Sequence, residues 1–207
     1  MAGKQPGWGS RSRLTEAERR AQIIEAAFQV ASRAGIGGLT VRAVAAEAEV
    51  SHGLVLFHFG RKGGLVHDLL EWLITDMAVL HISDDIARFP RARDRLHALL
   101  QQEMARLSHQ PQRTRLFLEY WALGVRHAEI RARISAELER YRGAFRAIME
   151  QLISAEPVAF ASATADGMAA VAVSWIHGCA VQALIDPGHF DTDEYLAAVR
   201  GMVSRLG

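Results

Sequence analysis

Apolar residues recur every three to four positions along almost the whole chain, and no stretch alternates with period two. The first such segment begins near Thr15, whose hydroxyl can cap a helix, and Glu18 follows three residues later, the spacing of a capping box. This helix is expected to stop at Gly35, where the apolar pattern gives way to a glycine-rich loop. The hydrophobic pattern therefore predicts an all-α chain, with about nine helices in total.

Two short helices are predicted next, from Val41 to Ala48 and from about Ser51 to Phe57. Thr40 stands before the apolar positions of the first of these helices, and Ser51 before those of the second. Both residue types favour the N-cap of a helix. Two short helices joined by so tight a turn predict a helix-turn-helix motif. A fourth helix is expected from about Gly63 to Leu80.

The remaining predicted helices are longer, and prolines mark the breaks between them. Proline cannot continue a helix from the preceding turn, so helices are expected to end before Pro111, Pro157 and Pro187. The predicted helices cover residues 91–108, 112–125, 128–153, 158–185 and 192–205.

Charge is distributed unevenly along the 207 residues. Residues 1–65 carry nine Lys or Arg against five Glu, a net charge of +4, whereas residues 66–207 carry 15 basic and 18 acidic side chains, a net charge of −3. This asymmetry is typical of a nucleic-acid-binding unit followed by a domain that binds something else. We therefore expect a disordered basic arm over 1–13, a helix-turn-helix domain over 14–65 and a second helical domain over 66–207.

Composition narrows the classes of protein further. The single Cys179 excludes a disulfide within the chain and a zinc site built on paired cysteines. The first 22 residues contain no apolar core of a signal peptide. The uncharged run from Gly167 to Ile185 has the length of a membrane span, but polar and small residues interrupt it and favour a buried packing helix. We expect a soluble, cytoplasmic protein without a membrane partner.

Residues 20–65 resemble the DNA-binding domain of TetR-family transcriptional regulators. The resemblance covers about 45 residues, with the matching elements in the right order and spacing. These elements are Ile23-Ile24-x-Ala26-Ala27, Gly35, Leu39-Thr40-Val41-Arg42, Val44-Ala45, Val50-Ser51-x-Gly53 and His58-Phe59-x-x-Lys62-x-x-Leu65.

The predicted interface with DNA combines a reading helix with helix starts and cations. A helix fits the major groove, where its N-terminal residues reach base edges, and free N–H groups at helix starts can bind phosphate. The resemblance implies that Lys62 holds a phosphate and that Thr40 and Ser51 touch the DNA backbone. The expected DNA-binding residues are Thr40, Arg42, Ser51, His52, Gly53, Leu54, Phe57, His58 and Lys62.

The chain departs from the family pattern at two positions of this motif. Glu49 stands where the family usually has glycine, and a left-handed backbone there would cost on the order of 1 kcal/mol. Leu56 stands where a tyrosine that touches phosphate is common, so one backbone contact is expected to be lost. With Leu54 and Phe57, Leu56 makes the reading helix apolar, suited either to thymine methyl groups or to packing against the fourth helix.

For residues 66–207 the resemblance implies dimerisation and effector binding. The segments Phe59–Leu65 and Glu119–His127 more closely resemble the branch that includes choline-responsive repressors of betaine synthesis. Small and apolar residues at helical spacing predict a four-helix interface between two copies of the chain. The expected dimer contacts are Ala169, Ala172, Val173, Ile176, Ala180, Ala183, Leu196, Val199, Met202 and Val203; the alternative is that this face is the chain's own core.

An effector pocket is expected between the helices predicted over 91–108, 112–125, 128–153 and 158–185. Aromatic rings there could stack on a cation, with Glu103 or Glu119 as its charge partner, but an apolar molecule fits the same residues equally well. The candidate lining residues are Met104, Phe117, Tyr120, Trp121, Trp175 and His177.

Three functions remain in competition. The leading hypothesis is a homodimeric repressor that a small molecule releases from a pseudo-palindromic double-stranded DNA operator, with no cofactor and no metal. A helical enzyme is disfavoured, because the chain lacks the two Glu-x-x-His motifs of a di-iron bundle, His-Glu-x-x-His, Gly-x-Ser-x-Gly and a phosphate loop. A DNA-binding protein without an effector, or an activator, stays open.

Overall fold

A computed structural model describes residues 14–77 and 84–204, which form ten α-helices and no strand. The prediction of an all-α fold is confirmed, and the predicted arm over 1–13 lies outside the described residues. The chain divides into two compact units between Leu69 and Leu70. The helices are α1 Glu16–Gly38, α2 Val41–Glu47, α3 His52–Phe59, α4 Lys62–Met77, α5 Asp84–Ala87, α6 Ala92–His109, α7 Pro111–Gly124, α8 Ala128–Ala155, α9 Ala165–Ile185 and α10 Thr192–Ser204.

The first unit begins with the capping box that the sequence predicts. The Thr15 hydroxyl accepts a hydrogen bond from the Glu18 N–H at 3.3 Å, and the Thr15 N–H donates one to the Glu18 carboxylate at 2.7 Å. The predicted stop of the first regular helix at Gly35 is confirmed, but the stretch after it is not the predicted loop. Gly35 leaves the helical conformation, with φ 69° and ψ 172°, but a further turn forms beyond this kink and α1 ends at Gly38.

Packing of α2 between α1 and α3 forms the core of the first unit. Each of these helices buries one apolar face, and the start of α4 contributes two leucines. The residues with no or almost no exposed surface are Ile23, Ala27, Ala31, Leu39, Val44, Val55, Leu65 and Leu69.

The second unit differs from the predicted helix pattern at two places. The helix predicted over 158–185 starts seven residues later, because 157–162 forms turns after Pro157 and the Thr164 hydroxyl caps α9 by accepting from the Gly167 N–H at 3.1 Å. A four-residue helix, α5, precedes α6. It is too short to show helical periodicity in the sequence.

The centre of the second unit is α9, which packs against α6, α7, α8 and α10. By length and composition α9 could cross a membrane, but its buried face, which includes Ala169, Ala172 and Ile176, belongs to the main apolar core of this unit. A core helix of a helical domain passes the same test of length and composition, so this helix is weak evidence for a membrane span.

Candidate nucleic-acid interface and effector cavity

The starts of α2 and α3 are capped in the same way. The Thr40 hydroxyl accepts a hydrogen bond from the Ala43 N–H, and the Ser51 hydroxyl accepts one from the Leu54 N–H, both at 3.1 Å. Each cap satisfies one of the N–H groups that a helix leaves unpaired at its start, while Thr40 and Ser51 themselves stay exposed. The remaining N–H groups of each first turn carry the positive end of the helix dipole.

The helix α3 has one buried and one exposed face. Val55 and Phe59 are buried against the rest of the first unit. On the exposed face, Phe57 has 76% of its surface exposed, an unusual state for a phenylalanine. Of the other predicted contact residues, His52 and Gly53 are exposed, whereas Leu54 and His58 are half-buried.

Three exposed cations lie at the starts of the helices on either side of α3 in the chain, Arg42 in the first turn of α2, and Arg61 and Lys62 where α4 begins. Among the residues that the structure describes, Arg42, Arg61 and Lys62 form no ion pair with a carboxylate, and the Lys62 Nζ donates a weak hydrogen bond, at 3.4 Å, to the Gly37 carbonyl. By contrast, Arg33 is paired with Glu47. The charge of the three cations is therefore available to an anionic partner.

The backbone between α2 and α3 confirms the strain expected at Glu49. Its φ is 53°, and it is the one residue other than glycine with positive φ among the described residues. After α3 the chain turns again, and a Cβ atom at Gly64 would lie 2.2 Å from the Phe59 carbonyl oxygen. Only glycine fits at this position, so Gly64 at the start of α4 has a steric reason.

The second unit contains a cavity of about 40 Å³ between α4, α6, α7, α8 and α9. The sequence predicts a pocket between four of these helices, and Ile74 of α4 completes its wall. The cavity is mainly apolar but includes several polar side chains. Its lining residues are Ile74, Arg106, Leu107, Thr114, Phe117, Leu118, Glu137, Leu138, Tyr141, His177 and Ala180.

The structure brings three of the six candidate lining residues together. Phe117 and His177 line the cavity, and Trp121 packs on both, with ring centroids 6.1 Å from Phe117 and 4.5 Å from His177. Met104 and Tyr120 are buried without lining it. Trp175 lines a separate cleft of about 570 Å³, which is formed by α6, the end of α8, the turns before α9, the first half of α9 and α10.

Sequence reasoning missed the polar cluster beside the cavity. Glu103 has no exposed surface, accepts a hydrogen bond from the Tyr141 hydroxyl and pairs with Arg106 at 2.7 Å. Arg106 also donates to the Tyr141 hydroxyl at 3.2 Å. Glu103 is therefore already paired inside the chain. A glutamate among the apolar positions of α6, with an arginine three residues later, is the signal that could have revealed the pair.

Burial sets the protonation of the cavity side chains. Burial, followed by the positive charge of Arg106, lowers the pKa of His177 to about 4, so its imidazole is neutral at pH 7. Burial, reinforced by the Glu103 carboxylate, raises the pKa of Tyr141, so its hydroxyl keeps its proton. His177 also stacks on Tyr141, with ring centroids 5.9 Å apart.

Most of the residues predicted at a dimer interface lie in the core of the single chain. Seven of the ten are buried: Ala169, Ala172, Val173, Ile176, Ala180, Val199 and Val203. They pack on the chain's own helices and offer no surface to a second copy, which is the alternative that the sequence left open. Ala183 and Leu196 are half-buried, and Met202 is 49% exposed.

The exposed side of α9 carries a different stripe of small and apolar residues. It includes Val171, at 48% exposure, and Ile185, at 79%. The stripe recurs every three or four positions, the spacing of one helix face. Its small or apolar members are the exposed Gly167, Ala170, Val171, Ser174 and Ile185 and the half-buried Gly178 and Val181, and the polar Gln182 lies on the same face.

A small helix-turn-helix unit followed by a helical unit with an internal cavity defines the chain as a DNA-binding regulator of transcription. The family model of the BetI-type transcriptional repressor C-terminal domain matches residues 92–207, and that of the bacterial regulatory proteins of the tetR family matches residues 23–69. The chain belongs to the TetR family and carries a C-terminal domain of the BetI type. Members of this family bind DNA operators and small-molecule effectors, typically as dimers.

Individual proteins agree with this assignment. The HTH-type transcriptional regulator BetI of Burkholderia thailandensis is 25% identical over 188 residues, which are 91% of this chain and 93% of that protein. A transcriptional regulator from Pseudomonas aeruginosa PAO1 is similar in structure, with a TM-score of 0.77, 25% identity and coverage of 94% of this chain and 92% of that chain. A regulator from Saccharomonospora viridis in complex with choline has the same fold, with a TM-score of 0.74, 18% identity and coverage of 91% and 97%.

Proposed function

We propose that the chain is a homodimeric repressor, which binds a pseudo-palindromic operator through α3 and leaves it when a small molecule binds in the second unit. The observation that carries the proposal is the exposed face of α3 with its capped start, next to cations that no described carboxylate neutralises. A helix presented in this way matches the major groove, and the cations match the phosphates on either side.

The role of each interface residue follows from its place. Ser51 and Thr40 lie at helix starts and contact phosphates, together with Arg42 and Lys62. Lys62 exchanges its weak contact with the Gly37 carbonyl for a phosphate oxygen, which is the stronger, charge-assisted partner. His52, Gly53 and Phe57 face the bases, with Leu54 and His58 at the edge of the contact.

Dimerisation through α9 and α10 explains the exposed stripe on α9. Small side chains allow two helices to approach closely, and the exposed apolar side chains of Val171 and Ile185 are unfavourable in water. Met202 adds an exposed apolar side chain on α10. Two copies related by a two-fold axis present two reading helices, which matches a two-fold operator.

The cavity beside His177 is the proposed effector site, and α4 is the proposed connection to DNA binding. Ile74 of α4 lines the cavity, and the same helix starts at Lys62. An effector that fits the cavity better in one position of α4 therefore shifts the balance between conformations that bind and release DNA. The BetI-type relatives and the choline-bound neighbour make choline one molecule to test.

The proposed role also implies where the protein acts and that it is a binding protein rather than an enzyme. A repressor acts on the chromosome, so we place the protein in the cytoplasm without a membrane partner. It needs no catalytic step, because binding energies alone account for operator binding and release.

The test is operator binding measured by fluorescence anisotropy with the full-length protein. A duplex from upstream of the coding sequence is titrated at several salt concentrations against a scrambled duplex. We expect preferential binding with a steep dependence on salt. Lys62→Ala is expected to weaken binding to both duplexes and to reduce the salt slope by about one.

Arg88→Ala is the matched control, since it removes an exposed cation from the second unit. It is expected to leave both the affinity and the salt slope unchanged. If the upstream duplex fails, selection from a genomic library identifies the operator. Absence of binding to any DNA at low salt would contradict the proposal.

A further inference from the structure

The wall of the cavity is electrically balanced. Two charged side chains of opposite sign line it, Arg106 and Glu137. Arg106 is paired with the buried Glu103 at 2.7 Å, and Glu137 is paired with Arg140 at 2.6 Å and lies 3.9 Å from Arg133. The carboxylates of Glu103 and Glu137 therefore each have a guanidinium partner, so neither is left to compensate the charge of a bound cation.

His177 offers the cavity a neutral hydrogen-bonding group. Its imidazole lines the wall, packs on the rings of Trp121 and Tyr141, and forms no hydrogen bond with any residue that the structure describes. A neutral imidazole has one N–H donor and one nitrogen acceptor. It therefore suits a partner that both donates and accepts, such as a hydroxyl group, better than a charged one.

Trp121 does not line the cavity itself, but it supplies a second unused donor directly behind two residues that do. Its Nε1 atom is buried, and no acceptor among the described residues forms a hydrogen bond with it. The indole packs against Phe117 and His177, both of which line the cavity. A buried donor without an acceptor costs free energy, which a ligand oxygen would recover.

We propose that the effector is an uncharged molecule with a compact apolar body and a hydroxyl or carbonyl oxygen, held by His177 and Trp121. The inference rests on the proposed function, because it names the chemistry of that same effector site. A quaternary ammonium would lie in a wall that contains the Arg106 guanidinium and no unpaired carboxylate. A carboxylate would lose its hydration without gaining a free cation.

The small volume of the cavity restricts two ligands of the same shape to the same extent. Its volume of about 40 Å³ holds only a few water molecules, so any larger ligand must separate the helices around it. Choline and 3,3-dimethylbutan-1-ol have the same heavy-atom skeleton and differ in the central nitrogen or carbon. A difference in their affinity therefore reports charge, with shape held constant.

The experiment is calorimetric titration of the full-length protein with choline, 3,3-dimethylbutan-1-ol and 3,3-dimethylbutanoate, followed by operator release with each. We expect the alcohol to bind at least about tenfold more tightly than either charged analogue, as desolvation of an unpaired charge implies. The alcohol is also expected to release the operator at lower concentration.

Two variants test the assigned side chains. Trp121→Phe and His177→Phe keep an aromatic ring and remove the hydrogen-bonding nitrogens, and each is expected to weaken binding of the alcohol about tenfold. Trp175→Phe makes the same change in the separate cleft and is expected to leave affinity unchanged. Circular dichroism establishes that all three variants are folded.

The outcomes separate this inference from the proposed function. Tighter binding of choline than of the alcohol would overturn the inference. So would binding of none of the three molecules by a protein that still binds its operator, and that result would leave the DNA-binding function intact. Failure of the unliganded protein to bind any DNA would instead contradict the proposed function.

Discussion

The Tyr141 hydroxyl donates a hydrogen bond to the carboxylate of Glu103, a side chain with no exposed surface. The two residues join α6 to α8, and Arg106 completes the cluster. A buried carboxylate that loses a donor keeps its desolvation cost, so hydrogen bonds to buried charges contribute more than neutral ones. Removal of one partner would therefore leave the Glu103 charge buried with fewer donors, which is unfavourable.

Removal of this hydroxyl is expected to destabilise the protein. For Tyr141→Phe we expect a loss of about 1.5–3 kcal/mol in the free energy of unfolding, measured by urea denaturation. Tyr195→Phe is the control, because the Tyr195 hydroxyl donates to the uncharged Trp175 carbonyl at 3.1 Å. Its expected loss is smaller, about 0.5–1.5 kcal/mol. Equal losses in the two variants would show that Glu103 gains no special stability from Tyr141.

His177 makes stability depend on pH in a defined direction. Its pKa falls from 6.5 to about 4 on folding, so the unfolded chain takes up a proton on this residue more readily than the folded chain. The stabilisation by the neutral imidazole is complete above pH 6.5 and is lost as the pH falls towards 4. The largest effect of this single group is about 3 kcal/mol.

The measurement compares urea denaturation of the parent protein and His177→Phe at pH 7 and at pH 4.5. Other titrating groups contribute to both proteins, so the difference between them reports His177. We expect the parent to lose more stability than the variant over this interval. Parallel pH profiles would contradict the assignment of a depressed pKa to His177.

Local features of the first unit could be read from the sequence. The caps at Thr15, Thr40 and Ser51 act within three residues of themselves, so residue type and spacing determine them. The left-handed backbone at Glu49 was expected only from the resemblance to the TetR family, in which glycine usually stands at this position.

Features that depend on distant contacts were missed or misplaced. Glu103 and Tyr141 are 38 residues apart, and nothing local to either residue predicts their contact. α9 is apolar on all sides, so periodicity does not select which face enters the core, and most of the residues predicted for the dimer face are buried within the chain. The helical turn beyond Gly35 buries Ile36, and the intrinsic helix propensity of this glycine-rich stretch does not predict it.

Glu49→Gly is expected to stabilise the first unit. Glu49 is exposed and has a φ of 53°, a conformation that glycine adopts without steric cost. The gain is about 0.5–1 kcal/mol, after the greater freedom of glycine in the unfolded chain is taken into account. Thermal denaturation of the variant measures the gain.

The matched control is Glu47→Gly, two residues earlier. Glu47 is the last residue of α2 and pairs with Arg33, so the same change there is expected to lower stability. A loss of stability in Glu49→Gly would show that the left-handed turn needs the glutamate side chain for a reason other than backbone conformation.

Phe57 is expected to read thymine methyl groups. With 76% of its surface exposed, its removal in Phe57→Ala costs the fold little, whereas an apolar contact with DNA is lost. Replacement of a contacted thymine by uracil in the operator removes one methyl group, worth about 0.8 kcal/mol or about fourfold in affinity for the parent protein. Phe57→Ala is expected to bind both operators equally.

Phe89→Ala provides the control for loss of a phenyl ring. Phe89 is also exposed but lies in the second unit. Anisotropy titrations with this variant are expected to show the full discrimination of the parent between the thymine and uracil operators. A Phe57→Ala variant that discriminates as strongly as the parent would assign the methyl contact to another residue.

A charge on the exposed stripe of α9 is expected to separate the dimer. Val171 is half-exposed in the single chain, and in a dimer built on α9 it becomes buried, where an unpaired glutamate is strongly unfavourable. Sedimentation equilibrium should show a dimer for the parent and a monomer for Val171→Glu. Val158→Glu is the control, since Val158 is 90% exposed on the turns before α9, outside the stripe. A dimeric Val171→Glu protein would show that the interface lies elsewhere. A monomeric variant is also expected to lose affinity for a two-fold operator. It should still bind a half-site weakly, because each copy keeps its own reading helix.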